Sequence, residues 1–526
     1  MPGDRCPVTG DRRPVAGNAP EIAAVAVLLA IYSLTLAPSV TLWDSGEFLA
    51  AIHSLGIPHP PGTPLYILIG KVWTLILGPV FGFARSVNLL SAVTMASACG
   101  LLANLIHRWT RDSASSFAGA VTAGAMSSVW MSANETEVYA IALLVSIFIL
   151  WCADRAVEGG DRRWLLLGAY AAGLGWALHL TALLTLPAAA YLMVAAFRKQ
   201  LGSPPRLVVL SGILFLLGAS AALFMIVRSQ HDPFINEGNA STWSALSDVL
   251  MRREYRPVAP WPRQAPFFIQ IGNVVEYADW QIALSLAPDA PPSPLRTLFT
   301  AFFVMVGWVG CTAHRAKDPR SWRAMMILFL TATIGVIVYL NHKAGPSFGY
   351  GILPPNAPHE ARERDYFYIL AFMCWGVWIG IGAVTRIRQL APSGSWLRNA
   401  GILIPIVPIA LNWWAVDRSH EPVASEARRA AANTLLAAPQ RSVVLARGDN
   451  EAFPAWYVQE VDDGRRDVTV VVVPMLPAAW YREELRRRYG LLTEADVRGW
   501  KGFDQTLASL KREAAARGRT VVEVRR

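Results

Sequence analysis

Twelve apolar runs punctuate the chain, at roughly 21–39, 65–79, 86–107, 116–131, 137–153, 164–178, 180–197, 206–227, 296–313, 322–340, 367–385 and 400–416. Most approach the ~20 residues that an apolar helix needs to cross a bilayer core. Short basic loops separate them. Arg108/Arg111, Arg155/Arg162/Arg163, Arg198/Lys199/Arg206, Arg315/Lys317/Arg320/Arg323 and Arg386/Arg388/Arg398 belong on the cytoplasmic side by the positive-inside rule. If all twelve runs cross, one basic loop breaks that rule. If run 65–79, which starts at a proline and carries Lys71, lies along the outer surface instead, eleven spans satisfy every loop. The N-terminus is then cytoplasmic and the C-terminus outside.

The eleven-span pattern gathers the unusual polar residues on the outer face. The first outer loop, Thr41 to Pro64, holds Asp44, Glu47, His53, His59 and a run of prolines too rigid for helix. The link NETEVYA adds Glu135 and Glu137, and a helix break follows at His179–Thr181. Two long outer loops, 228–295 and 341–366, complete the set. The topology rule counts basic residues only, so it does not produce this concentration of acids. It predicts an outward-facing cleft. After Val416 the pattern changes: RSVVLA and DVTVVVV alternate with helix-like stretches, a βαβα order that predicts a small α/β domain. The expected division is a disordered cytoplasmic tail over 1–20, a membrane part over 21–416 and an extracytoplasmic domain over 417–526.

Composition agrees with a polytopic helical membrane protein. The chain is 53% hydrophobic and 16% charged, with mean hydropathy +0.33 and 20 Trp. Its net charge of +10 lies mostly in the interhelical loops and the C-terminal region, so it signals topology and not nucleic-acid binding. Four of the five cysteines sit in apolar runs and the fifth, Cys6, in the tail. No pair has metal-ligand spacing, which argues against disulfides and a cysteine zinc site.

Several side chains have the chemistry for a reaction in the cleft. Asp44 and Glu47 are three residues apart at the start of a short predicted helix, so both carboxylates share one face. A positioned carboxylate can take the proton of an acceptor hydroxyl. The plainer reading is an N-cap and a first-turn acid. His53 and His59 suit a polar pocket, or a metal pair with Asp44 or Glu47; the scattered acids favour no metal and no cofactor. Glu135 and Glu137 either cap a helix or contact a sugar or acceptor across the cleft. Arg364, followed by Asp365, and Arg228 stand at outer helix ends and are the leading cations for a phosphate; Lys71, Lys343 and Arg362 are lesser ones. Snorkelling or a salt bridge is their plainer reading. Trp43 is a candidate sugar platform.

WDSGEFLAAIHSLGIPHPPGTPLYILIGK, NETEVYA, GWALHLTALLTLPA, ERDYFY and RGDNEAFPAWYVQEV, in that order, resemble a family of polytopic proteins. Its eukaryotic members are transmembrane O-mannosyltransferases of the endoplasmic reticulum. An acidic pair before a His-Pro-Pro stretch is also distantly similar to protein O-mannosyltransferases of the GT-C fold, whose first outer loop holds two helices lying along the membrane. The resemblance implies a multi-pass, GT-C-like inverting glycosyltransferase. Its donor would be a polyprenyl-phosphate sugar, mannose first, and its acceptor a hydroxyl of a protein or glycan. Asp44 would be the general base. Glu47, His53, His59, Glu135 and Glu137 would surround acceptor and sugar, while Arg364, with Asp365 orienting it, and Arg228 would hold the donor phosphate. The rival reading is a lipid-linked sugar flippase or transporter, but acids at one face and a soluble C-terminal region suit it less well than internal repeats would.

Overall fold

The computed structural model describes residues 19–197, 204–255, 258–288, 293–349, 353–354 and 356–523. The tail expected over 1–20, save Ala19 and Pro20, lies outside the described residues, as do the loop cations Arg198 and Lys199. Each of the eleven runs expected to cross carries helix. By length and composition, eight of the described helices are apolar enough to span a membrane. Ala19–Leu34 and Leu180–Val194 are apolar but shorter. The run at 116–131 is two helices, broken at Ala125–Met126.

The chain opens with α1 (Ala19–Leu34), α2 (Ser45–Ser54), α3 (Pro64–Phe81) and α4 (Phe83–Thr110). Helix α2 stops where Leu55 takes a left-handed conformation, and the prolines beyond it cannot resume a helix. Proline then opens α3 at its first position, where a missing N–H costs nothing. Helix α3 is long enough to cross, yet its neighbours hold it at one end of the bundle. Leu65 N donates to Ala177 O at the end of the Arg162–Trp176 helix, and Trp73 Nε1 donates to Ser86 O in the first turn of α4. Lys71 Nζ donates to His53 O, and the His53 ring packs on Phe83 at 5.2 Å. That end is where α1 finishes, since Asn88 Nδ2 donates to Ala37 O at 2.8 Å. The opposite end of the α1–α4 pair is marked by Asn104 bonding Glu21. Both halves of α3 thus stay on the face that carries α2.

The most buried long helix is Asp365–Leu390. Close approach of backbones sets it in place. A Cβ on Gly380 would lie 2.2 Å from Gly119 N, so only glycine fits this crossing. Its N-terminal end delivers the 341–366 loop to the same face as α2. Basic loops meet acids on the other face: Arg108 and Arg320 approach Asp154, and Arg388 pairs with Asp112 at 2.7 Å.

The C-terminal region forms a three-stranded parallel sheet, β1 (Val443–Ala446), β2 (Thr469–Val472) and β3 (Val521–Glu523), in the order β2-β1-β3. Val443 pairs with both Thr469 and Val521. Continuous apolar runs such as VVLA and TVVV suit strands covered on both faces. The expected strands and helices are present. The third strand is additional: it is short, partly exposed and lacks an apolar run. The helix between β1 and β2, Asp449–Glu460, packs directly on α2. A Cβ on Gly46 would fall 2.4 Å from Phe453 O, so α2 and this helix touch through backbone.

Candidate active site

Asp44 occupies the N-cap position of α2, but its carboxylate makes no capping hydrogen bond. It turns to Arg362 in a two-pronged pair, with Nη2 to Oδ2 at 3.0 Å and Nη1 to Oδ1 at 3.3 Å. The plain N-cap reading of Asp44 therefore does not hold. Arg362 lies over the rings of Trp43 at 5.1 Å and Tyr366 at 4.6 Å. Its Nε donates to Tyr366 Oη at 2.7 Å, and Arg364 Nη1 donates to the same oxygen at 2.9 Å. Two guanidiniums thus meet at one phenol oxygen beside a carboxylate. Burial opposes the Arg362 charge, but Tyr366 and Asp44 outweigh it and lift its pKa above the ordinary arginine value.

The helix Phe267–Ala283, inside the long 228–295 loop, holds this cationic segment. Tyr277 Oη donates to Glu363 Oε2 at 2.9 Å and accepts from Arg364 N at 3.0 Å. Gln270 and Asn273 fasten His342 O and Gly345 N.

Glu47 is fully buried on the next turn of α2. The Pro58–Pro61 turn folds His59 onto it: His59 N donates to Oε1 at 2.6 Å, and Nδ1 lies 2.5 Å from Oε2. Burial works against a charged His59, yet the Glu47 carboxylate and then Asp44 raise its pKa to about 9. Glu237 closes this group. Backbone bonds from Ile57 N to Ile235 O and from Glu237 N to Ile57 O bring it in. Burial, then Glu47, hold the Glu237 carboxyl well above the ordinary range. Glu137 is likewise raised, by burial and then by Asp44. Around the charged pair, therefore, sit carboxyls that favour the protonated form.

The α/β region supplies the last wall. Asn450 Oδ1 accepts from Trp43 N at 2.6 Å, fixing the residue next to Asp44. Asp449 is raised by burial and by the nearby Asp44 and Glu47.

Asp44, Glu47, His59, Glu137 and Arg364 thus come together. Other expected residues have different surroundings. Asp365 does not orient Arg364; it is buried and accepts from Ser128 Oγ at 2.6 Å, while Arg364 pairs with Glu360 at 3.1 Å. Arg228 does not reach the phosphate pocket expected for it. Its guanidinium donates to Ser54 O and Leu55 O and caps α2. His53 faces Glu460 of the α/β region at 3.2 Å, and Glu135 faces Arg418 at 3.8 Å. Arg362 ranks above Arg364 beside Asp44. Glu237 and Asp449 carried no signal of their own, although Asp449 lies inside the RGDNEAF block.

The model of the protein O-mannosyl-transferase TMEM260 N-terminal domain matches residues 44–202, and TMEM260-associated domain 2 matches 427–491. These are the two regions that meet where α2 packs on Asp449–Glu460. Protein O-mannosyl-transferase TMEM260 of Mus musculus is 23% identical over 485 residues, covering 88% of this chain and 63% of that protein. Protein O-mannosyl-transferase tmem260 of Dictyostelium discoideum is 25% identical over 247 residues, covering 43% and 29%. The matches thus span less than two thirds of the length of either relative. Among solved structures, ArnT from Cupriavidus metallidurans bound to undecaprenyl phosphate aligns with TM-score 0.54 and 11% identity, over 97% of this chain and 90% of that one. Its apo state gives 0.52 and 12%, over 88% and 91%. That likeness establishes the fold, a GT-C-type membrane bundle.

Proposed function

We propose that the chain is an inverting glycosyltransferase that moves mannose from a polyprenyl-phosphate donor to an acceptor hydroxyl, on a protein or a glycan. The observation that carries this reading is the Asp44–Arg362 pair, with Arg364 joined through Tyr366. Such a pair offers a base and a phosphate clamp side by side. Asp44 takes the proton of the acceptor hydroxyl, whose oxygen attacks the anomeric carbon as the bond to the phosphate oxygen breaks. The leaving lipid phosphate gains charge, and the two guanidiniums stabilise it where it develops. Attack opposite the leaving group inverts the anomeric centre. Protonated Glu137 can donate to a sugar oxygen, and the Glu47–His59 pair fixes α2 so that Asp44 keeps its place. Residues 21–416 are the catalytic part and 417–526 an extracytoplasmic domain that walls the site. The N-terminus is cytoplasmic and the cleft opens outside. ArnT with undecaprenyl phosphate supports a lipid-phosphate donor through shared fold, and the TMEM260 relatives support mannose and a protein acceptor.

The test is transfer by the purified protein in lipid nanodiscs, given polyprenyl-phosphate mannose and Ser/Thr peptides or glycans. The expected product carries mannose of opposite anomeric configuration to the donor. Retained configuration, or lipid-sugar moved across the bilayer with no transfer product, contradicts the proposal.

A further inference from the structure

A cavity of about 310 Å3 lies between the 232–237 segment and the α/β region. It falls at the small end of ligand-pocket sizes, suited to one compact molecule and not to an extended chain. Four half-buried rings line it: Phe234, Trp456, Trp480 and Tyr489. Trp456, Trp480 and Tyr489 belong to the α/β region and Phe234 to the 232–237 segment, so the full lining exists only when the two are docked. Trp480 is held in place by Nε1 donating to Glu254 at 2.8 Å. Among them stands Glu237, 4% exposed.

The lining combines aromatic faces with the polar side chains Glu237, Gln459, Glu460 and Glu484. A neutral pyranose presents the matching surface: C–H faces for the rings and hydroxyl donors for the carboxyl. An anionic ligand finds little to hold it, because the one cation among the described lining residues, Arg466, is already paired with Asp463 at 2.9 Å and Glu460 at 3.7 Å.

We propose that this cavity is a binding site for a neutral hexopyranose, hydrogen-bonded by Glu237 and stacked on Trp456 and Trp480. It rests on the proposed glycosyltransferase only in one respect, that the sugar belongs to the acceptor side, since Glu237 abuts the Glu47–His59 pair and not the Arg362–Arg364 clamp.

The experiment is saturation-transfer NMR and titration of the full chain in nanodiscs with methyl α-D-mannopyranoside. Wild type and Asp44→Asn are expected to bind alike. Trp480→Ala and the isosteric Glu237→Gln are expected to weaken binding by about tenfold or more, each judged at an unchanged melting temperature. If Trp480→Ala unfolds, Trp456→Phe and Glu237→Gln carry the test. Loss of binding in Asp44→Asn alone would place the sugar in the cleft and overturn the proposal. So would the absence of saturable binding, or its indifference to the cavity variants. A Ser/Thr peptide that binds in a Trp480-dependent way, where the mannoside does not, would also overturn it. Should transfer activity fail while cavity-dependent binding persists, the proposed reaction falls and this site stands. The reverse outcome removes only the site.

Discussion

At the residue scale, the site turns on charges that pair directly with one another. Arg362 meets Asp44 through two nitrogens, a geometry that a lysine ammonium cannot reproduce. Arg362→Lys is expected to raise the apparent KM for the lipid-phosphate donor and lower kcat, together by about tenfold or more, measured by steady-state transfer. A fall in acceptor affinity alone would speak against the clamp. The Glu47–His59 pair gives a pH signature. The folded His59 pKa, about 9, lies above its ordinary value of 6.5. Its stabilisation is complete below pH 6.5 and is lost as pH rises through about 9. Thermal unfolding of wild type in nanodiscs should therefore fall between those limits more steeply than that of His59→Gln. Parallel curves would contradict a charged His59.

At the element scale, three scaffolds align the site: α2, the Phe267–Ala283 helix and the Asp449–Glu460 helix. Gly46 is where the first and third meet, with room for no side chain. Gly46→Ala is expected to cost about 1–3 kcal/mol by overpacking and to loosen the α/β region from α2. Limited proteolysis after Val416 should accelerate, and an unchanged digest would show the contact to be dispensable. Tyr277→Phe removes the hydroxyl that joins Glu363 to Arg364 N, and is expected to lower kcat while leaving the melting temperature within a few degrees. Equal loss of both would make Tyr277 a stability residue only.

At the scale of the whole molecule, much of the architecture was readable from one-dimensional signals. Apolar runs and basic loops located the helices, and the proline and Lys71 of α3 marked it as lying at one face. The acid-rich links between apolar runs pointed to Asp44, Glu47, His59 and Glu137. What escaped had a common physical reason. Glu237 and Asp449 become site residues only through long-range packing, the first by the bridge to Ile57 and the second by docking of the α/β region. Arg362 and Arg364 differ by two positions in a loop whose course depends on Tyr277, so spacing could not rank them. Arg228 looked free because its partners, the carbonyls of Ser54 and Leu55, are 174 and 173 residues distant. The α/β region is thus part of the site wall and not an appendage.

The most direct measurement is the transfer rate of Asp44→Asn against wild type, with polyprenyl-phosphate mannose as donor and Arg362 intact. Loss of a general base predicts a fall in kcat of about 10²–10⁴-fold with the fold preserved. Transfer at the wild-type rate would contradict the assignment of Asp44 and the mechanism built on it.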